Sequence, residues 1–76
     1  MYYHIYKVIF NFKGRIPEPS GIVIVRTKSY KKKAEEMAKK ISEKEHDLSD
    51  SRASLRLILI KKTKNINGEF INTVTV

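Results

Sequence analysis

From Tyr2 to Phe12 the chain alternates, with Tyr6, Val8, Phe10 and Phe12 on one face of an extended segment and Ile5, Lys7, Ile9 and Asn11 on the other. That period of two, carried by aromatic and β-branched residues, predicts a strand. Lys13 to Ser20 interrupts it, because two prolines cannot donate to a ladder and Gly14 tolerates turn dihedrals. Gly21 to Thr27 then reads as a short second strand, antiparallel to the first. After Ser29, a candidate N-cap, the period changes to 3.6. Tyr30, Ala34, Met37, Ala38, Ile41 and Leu48 form one apolar stripe of a helix. Glu35, Glu36, Lys39, Lys40 and Glu43 fill its opposite face, with i,i+4 pairs at Glu35–Lys39 and Glu36–Lys40. Ser49-Asp50-Ser51 is expected to end the helix, and Ser54 to Lys62 returns to an extended pattern.

Asn67-Gly68 is the strongest local signal, since both residues tolerate the positive φ of a type I′ hairpin turn. Such a turn sets Lys64 opposite Ile71, Lys62 opposite Thr73 and Ile60 opposite Thr75, with a last strand from Phe70 to Val76. The expectation is a single two-layer α+β domain over residues 1–76, in ββαββ order. It has a four-stranded, mainly antiparallel sheet with one helix packed on one face. The stripe residues Tyr30, Met37 and Ile41 should cover Tyr6, Val8, Phe10, Val23, Val25, Leu57 and Leu59.

Composition narrows the functional classes. Seventy-six residues leave room for one domain. There is no cysteine, hence no disulfide, thiolate metal site or thiol nucleophile, and a reducing cytoplasmic setting is expected. The longest aliphatic runs, Ile22–Val25 and Leu57–Ile60, hold four residues each, far short of the ~20 that span a bilayer. His4 and His46 are the only histidines, and Gly14, Gly21 and Gly68 stand isolated, so neither a catalytic pair nor a phosphate loop is evident. A cluster of Glu43, His46 and Asp47 reads as a polar helix end rather than a metal site. The chain carries no family-diagnostic motif; it reads as non-catalytic, with no cofactor and no metal.

The net charge is +8, and its layout matters more than its size. Residues 34–50 carry six acids and three bases, whereas the other 59 residues carry 13 bases and two acids. A field so segregated favours polyanions, although the lysine-rich usage of an AT-rich genome would give the same excess without any partner. Lys31, Lys32 and Lys33 occupy the first helical turn, where the macrodipole disfavours cations by about 0.3–1 kcal/mol each. A phosphate there would relieve the conflict. The leading expectation is therefore a small basic binding protein contacting the DNA or RNA backbone through Arg26, Lys28, Lys31, Lys32 and Lys33, extended by Lys62 and Lys64. Weak sequence specificity follows from the lysine-dominated set and the absence of glutamine.

The rival expectation is a protein-interaction module, an adaptor or inhibitor, acting through a free strand edge or the sheet face away from the helix. That face would gather Ile5, Ile9, Ile22, Ile24, Ile58 and Ile60 together with Lys62 and Lys64, and it predicts a homodimer or protein partner. Tyr2 and Tyr3 are the candidate exposed aromatics.

Overall fold

The computed structural model describes residues 2–28, 31–64 and 73–75. Its elements are β1 (Tyr2–Phe12), β2 (Glu18–Thr27), α1 (Lys31–Glu45), β3 (Ala53–Thr63) and β4 (Thr73–Thr75). The ββαββ order is thus realised as an α+β fold, with one four-stranded sheet in the order β3-β1-β2-β4. β1 lies between β2 and β3 and is antiparallel to both, while β4 runs parallel to β2, so the sheet is mixed.

The hairpin register expected after β3 is overturned. Lys62 lies opposite His4 on β1, and Thr73 and Thr75 lie opposite Ile24 and Arg26 on β2, at the other edge of the sheet. A turn dipeptide acts over four residues and does not by itself fix which edge of the sheet the last strand joins. Asn67-Gly68 itself, the N-cap Ser29, the stripe residue Tyr30 and the Lys64–Ile71 pairing lie outside the described residues.

The first hairpin is tighter than expected. The Arg15 amide donates to the Phe12 carbonyl at 2.9 Å, and Gly14 sits at φ +87°, which a type II turn requires at its third position. β2 consequently begins at Glu18 rather than Gly21, and its pairing with β1 slips between Val8 and Ile9, leaving Ser20 as the extra residue of a bulge. A second bulge, between Ile5 and Tyr6, leaves Ile60 without a partner on β1.

The helix covers one face through small residues. Ala34 and Ala38 are 1% and 0% exposed and seat α1 closely on Tyr6, Val8, Val23 and Val25; Met37, Ile41, Leu55, Leu57 and Leu59 pack against this cluster, half-buried. The expected helix face is therefore the one that packs, with the alanines at its centre. Leu48 falls beyond the helix, which stops at Glu45. Phe10, expected beneath the helix, and Phe12, on the same strand face, are only half-buried, with Arg15 and Arg52 lying over the Phe12 ring at 5.1 and 4.9 Å. Among the described residues, no helix is long and apolar enough to cross a membrane.

Candidate nucleic-acid interface

Because β1 is central and antiparallel to both neighbours, its first residues meet the last residues of β2 and β3: Tyr2 lies opposite Thr27, and Tyr3 opposite Thr63. Four residues after Thr27 the helix begins, at Lys31. The ends of β2 and β3, the start of β1 and the start of α1 therefore share one end of the sheet. All seven expected cations, Arg26, Lys28, Lys31, Lys32, Lys33, Lys62 and Lys64, stand there, and all are exposed. The first turn of α1 holds no acid. Glu43, Glu45, Asp47 and Asp50 lie towards the opposite end, where α1 finishes and β3 starts.

Two tyrosines sit within this basic end, one on each face of β1. Arg26 lies over the Tyr3 ring, 5.5 Å from its centre, on the face away from the helix. Lys62 and Lys64 approach the Tyr2 ring at 4.6 and 5.7 Å. Cations over ring faces are held by the quadrupole, which steadies side chains that would otherwise sweep freely. Lys62 does not share a face with Ile58, as the uninterrupted alternation implied. The bulge at Ile60 shifts the period by one residue and turns Lys62 to the side of its partner His4.

His4 is 0% exposed, and neither ring nitrogen makes a hydrogen bond; the Tyr6 hydroxyl is likewise buried and unpartnered. Burial, and then the nearby Lys62 charge, hold the His4 pKa below its usual value. The carbonyls of Val25 and Tyr2 lie close enough to offset this in part, without hydrogen-bond geometry. Burial, followed by Glu35, raises the Tyr6 pKa.

The isoleucine face is less open than the alternation suggested. Ile22, Ile58 and Ile60 are 51%, 41% and 54% exposed, Ile5 and Ile9 are half-buried, and Ile24 is 2% exposed and presents no free surface.

Sequence reasoning missed one arrangement. His46, expected only as part of a polar helix end, stacks on Phe10 with ring centres 6.1 Å apart. Its Nδ1 lies 2.7 Å from the Ser42 carbonyl and its Nε2 2.5 Å from the Ser20 hydroxyl. A carbonyl only accepts, so Nδ1 carries the proton; in the neutral ring Nε2 accepts from Ser20. The imidazole thereby caps a last-turn carbonyl and ties the β2 bulge to the end of α1. The signal available in the sequence was a histidine four residues after Ser42, at the spacing that lets a side chain reach back to the last turn. With both nitrogens so engaged, His46 is not disposed as a metal ligand beside Glu43 and Asp47. Among the described residues, no group of three or more His, Cys, Asp or Glu side chains could hold a metal ion.

No protein-family model, curated protein or solved structure matches the chain.

Proposed function

We propose that this protein is a non-catalytic binder of nucleic-acid backbone. The observation that carries the reading is the convergence of Arg26, Lys28, Lys31, Lys32, Lys33, Lys62 and Lys64, from three separate elements, on one end of the sheet. Point charges set around a helix start suit phosphate oxygens, which the positive end of a helix dipole also favours. Tyr2, 38% exposed, adds an aromatic surface beside Lys62 and Lys64, and base stacking on such rings tolerates any sequence. Contacts of this kind position a protein without reading bases, so affinity is mostly electrostatic and specificity weak.

The test is a salt titration on duplex DNA, single-stranded DNA and structured RNA in parallel. On duplex DNA, log K should fall linearly with log salt at about −0.9 per phosphate neutralised, so three to five contacts give a slope near −3 to −4.5. Replacing Lys31, Lys32 and Lys33 together with glutamate should flatten the slope by about one per lost contact. Lys13→Glu, at the far end of the sheet, should change it far less. Absence of salt-dependent binding to all three nucleic acids ends the proposal.

A second reading rests on the exposed Ile22, Ile58 and Ile60: a protein-interaction module using the face away from the helix. It expects a specific complex that survives the triple lysine variant and is lost with Ile58→Lys.

A further inference from the structure

The helix seals the inner face of the sheet unevenly. Over β1 and β2 the contacts are closed, with Val23, Val25, Ala34 and Ala38 all at 3% exposure or less. Elsewhere they are open: Leu55, Leu57 and Leu59 of β3 and Met37 and Ile41 of α1 are each only half-buried, and a groove of about 480 Å³ is lined on the helix by Met37, Lys40, Ile41, Glu43 and Lys44. β3 is also an edge. It is 11 residues long, and among the described residues it has a neighbouring strand on one side only. A long edge with apolar side chains offers a row of backbone groups for another strand to pair with. The opposite edge is the three-residue β4.

Charge identifies the occupant. The C-terminal end of β3 carries Lys61, Lys62 and Lys64 and no acid, while residues 43–50, beside its N-terminal end, carry four acids and one lysine. A second strand laid antiparallel on β3 by a two-fold axis brings the first end of one molecule against the second end of the other, twice.

We propose that a second copy of this chain pairs with β3 edge to edge, the axis passing near Ile58 at the middle of the strand. The two sheets join into one of eight strands. Around Ile58, Leu57 of one copy lies opposite Leu59 of the other, and the open flanks at Met37 and Ile41 close over the shared leucines. Such an interface is isologous, as a two-fold axis requires. It engages the Lys62 and Lys64 end of the proposed cation set and leaves Arg26, Lys28 and the start of α1, which lie beyond β1, free for a polyanion; it does not rest on the proposed function.

The test is sedimentation velocity across micromolar concentrations, with amide hydrogen exchange at a dimeric and at a dilute concentration. Wild type should dimerise, and outward-facing β3 amides should gain protection with concentration. Ile58→Lys should weaken the dimer at least tenfold, while Ile22→Lys, which charges the same sheet face away from β3, should not. Reversing Glu45 and Asp47 to lysine should weaken it as well, and adding Lys61→Glu with Lys64→Glu should restore it. Circular dichroism checks that each variant folds; if Ile58→Lys does not, the charge-swap set and the exchange pattern decide. A monomer at every concentration overturns the proposal. So does a dimer that Ile22→Lys disrupts as strongly as Ile58→Lys, or one without concentration-dependent protection of β3.

Discussion

Replacing His4 with leucine, a residue of similar volume, should stabilise the protein. His4 is fully buried between Val25 on β2 and Lys62 on β3, with neither ring nitrogen hydrogen-bonded. A buried polar group left unsatisfied costs about 1–3 kcal/mol, and a near-isosteric apolar swap costs less than about 1.5 kcal/mol in shape mismatch. A net gain of about 1–2 kcal/mol is expected at pH 7.5, equivalent to roughly 4–8 °C in Tm per kcal/mol for a domain of this size.

The pH dependence supplies an independent check. The folded His4 pKa lies below its unfolded value of about 6.5. The unfolded chain therefore binds the extra proton first, and stability is intact above pH 6.5 and falls as pH drops below it towards the folded pKa. One proton changes stability by at most about 1.4 kcal/mol per pH unit. The advantage of His4→Leu should thus widen between pH 7.5 and 5.5, by up to about 1.4 kcal/mol. Urea denaturation followed by circular dichroism at both pH values measures it. A variant less stable than wild type by more than about 1 kcal/mol at pH 7.5, with an unchanged m-value, would refute the assignment of His4 as an unsatisfied buried base. Parallel pH profiles would refute it equally.

Three further substitutions probe the packing. Ile41→Ala removes a half-buried side chain, so about half of the 2–5 kcal/mol of a full core truncation is expected; a Tm unchanged from wild type would show that the helix rests on another stripe. Ala38→Leu should cost about 1–3 kcal/mol or more, because the 0% exposed alanine leaves no space against the sheet, and thermal melts would expose the error if the variant were neutral. Gly14→Ala should cost about 1–2 kcal/mol through its φ of +87° alone, since no atom stands within 4 Å of the added Cβ; chemical denaturation showing no loss would mean that the turn relaxes.

Three strands and the helix were legible in the sequence because each is written in a local period: two across Tyr2–Phe12 and Ser54–Lys62, 3.6 from Ala34 to Ile41. Ala34 and Ala38 of the buried stripe of α1 followed from the same periods, while the third buried position, Ser42, did not. What depends on residues distant in the chain was not legible. The Asn67-Gly68 dipeptide suggested that the last strand would fold back on β3, yet Thr73–Thr75 pairs in parallel with β2, a contact between segments more than 45 residues apart that no local period encodes. The bulge at Ile60 turns Lys62 to the other face and the bulge at Ser20 extends β2 back to Glu18, and nothing local to either residue announces the slip. Lys62 therefore came to stand by His4, and Ser20 within reach of His46. Seven cations could be counted along the chain. Their gathering at one end came from β1 taking the centre of the sheet, antiparallel to strands on either side, which brings the ends of β2 and β3 together although 35 residues of chain separate Thr27 from Thr63.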